Sequence, residues 1–125
     1  VMEGVAHMLN DNIMSLARAG IRADSVISTG GGAKSALWCQ IKADITGYTV
    51  RVPDNREAAC LGAALTAAVT DGRFPDYDSA VRECVRIKTE YAPQLHEAYA
   101  ASGRLYKAVY DSLQEPFRAH AAWRK

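Results

Sequence analysis

The 125 residues predict an α/β fold: a short parallel sheet with flanking helices and a helical C-terminus. Three observations carry that prediction. The β-branched run Val26-Ile27-Ser28-Thr29 enters three consecutive glycines, Gly30-Gly31-Gly32, and then a stretch of helical character from Ala36 to Thr46. A second strand-like run, Tyr48-Thr49-Val50-Arg51-Val52, follows that helix, and two strands joined through a helix are parallel. After Pro53 the chain reads as wholly helical.

Taken in order, Val5, Leu9, Ile13 and Leu16, with Met2 and Met8 beside them, recur at helical spacing, and Gly20 closes that helix. The helix starts at the first residue without an N-cap, which a native domain seldom does. Residues 24–29 form the first strand. Residues 35–46 form a helix with Leu37, Trp38, Ile41 and Ile45 inward, ended by Gly47, and residues 48–52 form the second strand, stopped by Pro53. Residues 57–69 carry small side chains on every face with Gly62 in mid-helix, the pattern of a buried, closely packed helix that Asp71-Gly72 ends. Asp78 can cap a short helix to about residue 85. From Pro93 a long helix places Leu95, Tyr99, Ser102, Tyr106, Val109 and Leu113 along one seam, which Pro116 kinks or interrupts. That seam reads as packed on its own domain, and the tyrosines and Trp38 as core rather than a ligand cage. Parallel sheets need both faces covered and usually more than two strands. The short sheet and the uncapped start together predict the tail of a longer protein.

Composition narrows the class. Apolar residues make up 49% and charged residues 23%, as in ordinary globular chains, and the net charge of +1 gives no reason to expect nucleic acid or an anionic membrane as partner. No apolar run approaches membrane-spanning length, and the start lacks a signal peptide's pattern. Cys39, Cys60 and Cys84 are odd in number and widely spaced, so they read as buried free thiols of a reducing, cytoplasmic compartment rather than disulfides or zinc ligands. His7, His96 and His120 are equally dispersed, and no cluster has metal-ligand spacing.

The glycine loop is the one stretch with chemistry. A Cβ-free turn between strand and helix lets an anion approach the unpaired amides and partial positive charge of the helix start; a plain tight turn is the alternative. As a P-loop it fails, because Ala33 and Ser28 stand where glycines are required despite the tempting Lys34-Ser35. As a dinucleotide fingerprint, Gly30, Gly32 and Ser35 fit and Asp54 lies where a ribose-binding acid is sought, but no third strand is expected after Pro53.

The run from Ile27 to Gly47, Ile27-Ser28-Thr29-Gly30-Gly31-Gly32-Ala33-Lys34-Ser35 continuing through Leu37-Trp38-Cys39-Gln40 and Ala43-Asp44, then Val50, Pro53, Glu57-Ala58-Ala59 and Leu61-Gly62-Ala63-Ala64, resembles the C-terminal domain of the FGGY family of carbohydrate kinases, xylulokinase-like members above all. Glu3-Gly4-Val5-Ala6 and the late tyrosines also fit, so the resemblance covers nearly the whole chain. It implies an actin-like, ribonuclease-H-type ATPase fold in which residues 1–125 are an incomplete C-terminal nucleotide-binding subdomain, without its upstream strands and the N-terminal sugar-binding domain. It implies ATP with Mg2+ as cofactors, and a small sugar, a pentulose such as xylulose, as substrate of the intact enzyme; a homodimer stays open. Gly30, Gly31, Gly32 and Ala33 would lie along the ribose and α-phosphate, and Ser35 takes the place of a polar residue, often Asn, beside the adenine. No residue matches the family's catalytic aspartate, so the chain alone is expected to be inactive. Asp44 reads as structural, Glu57 as a helix-terminus carboxylate and Lys34 as solvated. A self-standing nucleotide-binding or interaction module without catalysis is the second reading.

Overall fold

The computed structural model describes residues 1–55, 57–94 and 97–123, the last with backbone only at 97 and 98. The elements run α1 (Met2–Arg18), β1 (Val26–Ile27), a short 3-10 turn (Gly31–Lys34), α2 (Ala36–Thr46), β2 (Val50–Pro53), α3 (Ala58–Thr70), α4 (Tyr77–Cys84), β3 (Ile87–Tyr91), α5 (Glu97–Ser112) and α6 (Gln114–Trp123). Glycine marks the ends of three helices as expected. Gly20, Gly47 and Gly72 all have φ near +75° to +85°, the left-handed conformation that turns the chain and pairs the last carbonyls.

The sheet is mixed rather than purely parallel. β1 pairs with β2 in parallel, with Val26 opposite Val50 and Ile27 opposite Arg51, as the crossover through α2 requires. The third strand corrects the expectation of helix alone after Pro53. β3 returns antiparallel to β2, with Val50 opposite Tyr91, Arg51 opposite Glu90 and Val52 opposite Thr89. The register slips between Val52 and Pro53, where proline has no N–H to give the ladder. An ion pair of 2.8 Å between Arg51 and Glu90 joins facing positions on the exposed side of these strands.

Among the described residues one face of the sheet is much the better covered. Val50 and Val52 point toward α2 and pack with Ala33, Cys39 and Ala43 into the buried cluster, flanked by Val26 and Tyr91. On the opposite side Ile27 is 58% exposed. Helix α1 lies on α2 and reaches α5, burying Ala6 and His7, while Val5, Met2, Met8 and Leu16 remain exposed. Of the residues expected at helical spacing on α1, Leu9 and Ile13 are half-buried, while Val5 and Leu16 face out. In α2, Ile41 is buried and Trp38 and Ile45 half-buried, but Leu37 is exposed. Helix α3 departs furthest from expectation: Leu65 is its one buried residue among those described. Its small side chains touch α4 and otherwise face outward. Cys39 is buried and free as expected, whereas Cys60 and Cys84 are free but exposed.

Capping fixes the shorter helices. The Asp76 carboxylate accepts a 2.7 Å hydrogen bond from the Ser79 amide, so Asp76 rather than Asp78 caps α4, and that bond holds its carboxyl below the usual 3.8. The break between α5 and α6 falls at Leu113, and Pro116 sits in the first turn of α6, where no N–H is needed. Tyr99, Ser102 and Tyr106 of the seam are half-buried; Ser102 and Tyr106 meet His7 of α1, Nε2 to Oγ at 2.7 Å and ring to ring at 5.4 Å. Leu95 and His96 lie outside the described residues.

Candidate functional site

Because β1 and β2 are parallel, the segments that follow them emerge at the same end of the sheet. The glycine loop and the start of α2 therefore share an end with Asp54, Asn55, Glu57 and the start of α3. Ligands of open α/β sheets bind outside the carboxyl ends of strands. Glu57 stands at the N-cap position of α3 but makes no side-chain cap bond; instead Asn55 Oδ1 accepts from the Glu57 amide at 2.9 Å. Lys34, on the 3-10 turn, is exposed.

Each glycine of the loop has a different job. Gly30 lies at φ +70°, ψ −161°, a region essentially closed to residues with a Cβ, and this bend turns the chain out of β1. Gly31 opens the 3-10 turn, and a Cβ built on it meets nothing within 4 Å. Gly32 is backed by Trp38: a Cβ there would lie 3.3 Å from indole Cδ1 and Nε1. Ala33 is buried in the core cluster and anchors the turn from beneath. Ser35 is the N-cap of α2, its Oγ accepting from the Trp38 amide at 3.2 Å. The sequence-predicted residues are thus one continuous corner, with Gly31 on its open side.

Two features behind the loop escaped sequence reasoning. Lys42 of α2 is only 8% exposed, donates from Nζ to Ser28 Oγ, and stands 5.3 Å from the centre of the Trp38 ring. Burial pushes its pKa below the usual lysine value, and the nearby Cys39 partly offsets this. The available signal was the spacing Trp38 to Lys42, one helical turn, which stacks the two side chains on one face. The second feature is a clamp. Asp44 Oδ1 accepts from Gln40 Nε2 at 2.8 Å and from the Gln94 amide at 2.7 Å, while Gln40 Nε2 also donates to the Ala92 carbonyl at 2.9 Å. Asp44 therefore holds the segment after β3 against α2. It serves structure, as its place in the sequence suggested.

A cavity of about 280 Å³ lies between α1 and α5, lined by residues including Met8, Asp11, Arg18 and Tyr106, and involves no residue of the loop. Among the described residues no group of three or more His, Cys, Asp and Glu side chains could hold a metal ion. The corner presents backbone, at Gly30 and Gly31, on the open side of a strand–helix junction.

A mixed sheet whose first strand opens through a glycine loop onto a capped helix defines an α/β strand–loop–helix corner. The chain belongs to the FGGY family of carbohydrate kinases: residues 1–70 match that family's C-terminal domain. An autoinducer-2 kinase of Yersinia enterocolitica is 45% identical over 94 residues, covering 74% of this chain and 18% of the relative. The chain thus spans about a fifth of the length of the curated relatives it matches. The crystal structure of xylulose kinase from Rhodospirillum rubrum superposes with a TM-score of 0.75 at 27% identity, over 93% of this chain and 24% of that one. The structure of Plasmodium falciparum glycerol kinase with ADP superposes with a TM-score of 0.71 at 25% identity, over 90% and 23%. These neighbours are kinases of the actin-like ATPase fold.

Proposed function

We propose that this chain is the nucleotide-binding part of a longer ATP-dependent carbohydrate kinase. The observation that carries the reading is Gly30 at φ +70°, ψ −161°, with Gly31 open to solvent beyond it at the carboxyl end of β1. That geometry exposes backbone rather than side chain to an incoming ribose and phosphate. The fold neighbour solved with ADP supports a nucleotide as the ligand. ATP would lie over Gly30, Gly31, Gly32 and Ala33. Ser35 spends one lone pair on capping α2, and its hydroxyl proton is the group it would offer the adenine side. In phosphoryl transfer the protein chiefly positions and neutralises, so a rigid cradle is what this half contributes. Mg2+ would arrive with the nucleotide, and the catalytic base would come from outside this chain.

For the acceptor, the sequence resemblance favours a pentulose such as xylulose. The relative 45% identical bears the name autoinducer-2 kinase, while the xylulose kinase is 27% identical. Autoinducer-2 is therefore the first acceptor to assay and xylulose the second. The test of the site is calorimetric titration of the full-length protein with ATP. Gly31→Trp should abolish measurable binding while the protein stays folded; unchanged affinity removes the loop from the nucleotide site.

A further inference from the structure

We propose that Lys42 is a positioning residue for the nucleotide loop, holding it at two points from behind; this rests on the nucleotide-site reading above. Its Nζ donates to Ser28 Oγ, two residues before Gly30 bends the chain out of β1. The same ammonium stands 5.3 Å from the centre of the Trp38 ring, and the edge of that indole would lie 3.3 Å from a Cβ of Gly32. One side chain on α2 thus fixes both the strand end that enters the loop and the aromatic plate against its third glycine.

Burial makes this arrangement specific. Ser28 is 7% exposed and Lys42 8%, and among the described residues no carboxylate lies within ion-pair distance of Lys42. A buried lysine without a carboxylate depends on its hydroxyl and aromatic partners, so the three side chains are held in one geometry. A buried charge carries a desolvation cost, and an apolar side chain in its place, with Ser28 replaced as well, would fill the same space without that cost. What the apolar side chain cannot do is bind Ser28 and hold the indole face together. Lys42 is buried behind the loop, and it acts on the loop through Ser28 and Trp38.

The test uses the full-length enzyme and three variants: Lys42→Met, Ser28→Ala and the double replacement. Removing one partner orphans a buried polar group, so both single variants should lower the melting temperature and raise KM for ATP about tenfold, with kcat and the KM for the sugar unchanged. The double variant leaves no orphan and should recover most of the melting temperature while keeping the raised KM for ATP. That split is the signature of positioning. A KM for ATP that returns to the wild-type value together with the melting temperature overturns the proposal, as does a parallel rise in the KM for both substrates. If Lys42→Met does not fold, Ser28→Ala and the double variant decide alone. Gly31→Trp is the control for the underlying reading. Loss of ATP binding there with unaltered KM in the other variants sinks only the role of Lys42, whereas retained binding in Gly31→Trp sinks both.

Discussion

Gly30, Gly31 and Gly32 are chemically identical and structurally unlike, and substitution should separate them. Gly30→Ala forces a Cβ into a glycine-only region and should cost the full-length protein about 1–3 kcal/mol in denaturant unfolding. Gly32→Ala must move the Trp38 indole from 3.3 Å and should cost about 1 kcal/mol. Gly31→Ala meets open space at ordinary φ and should cost close to nothing. Equal losses at all three positions would contradict the assignment of separate jobs. The sequence could announce the trio but not its division of labour, because that depends on which Cα the chain pivots about and on what lies behind. The role of Ser35 was half legible for the same reason. A serine before a helical run is a capping signal as well as a ligand signal, and only the 3.2 Å bond to the Trp38 amide shows the capping role in use.

At the scale of elements, helices with a C-terminal glycine were readable because a left-handed residue at the end is a local requirement. Strand β3 was equally readable and was missed: Val85, Ile87, Thr89 and Tyr91 alternate with Arg86, Lys88 and Glu90, the period of a strand. Its four exposed residues and the ion pair of Lys88 with Asp54 at 3.1 Å explain why its composition looks like a helix surface. The cap of α4 yields a pH prediction. The Asp76 carboxyl is held below 3.8 by the Ser79 amide, so its contribution is complete above 3.8 and fades as pH falls through the lower native value. Asp76→Ala should therefore melt below wild type at neutral pH, with the gap closing in acid; a pH-independent gap would refute the capping role. The clamp on α2 is the stronger element-level device. Asp44→Ala frees the Gln94 amide and removes one partner of Gln40, and should cost about 1–2 kcal/mol while amides near residues 92–94 exchange faster.

At the scale of the whole molecule, surface area decides how the chain is used. It exposes 9051 Å² at 13.6 kDa, whereas a compact monomer of that mass exposes about 6,600 Å². Covered by a partner surface, an excess of about 2,500 Å² on one side would make an interface of about 5,000 Å² in total, within the obligate range. The excess is found on particular faces: the less covered side of the sheet at Ile27, the outward side of α3 and the Val5, Met8 and Leu16 positions of α1. Buriedness on every face of α3 is what its small residues predict, and among the described residues α4 is the main element that packs on it. The small-residue pattern of α3 suits a helix packed on both sides, and the chain spans 18% of a relative's length. The 125-residue polypeptide by itself should accordingly self-associate in sedimentation and melt broadly by circular dichroism, while the full-length protein melts cooperatively and is stabilised by ATP. A monomeric, cooperative transition of the isolated polypeptide would instead favour the self-standing module, because a chain that needs no cover should bury α3 on its own.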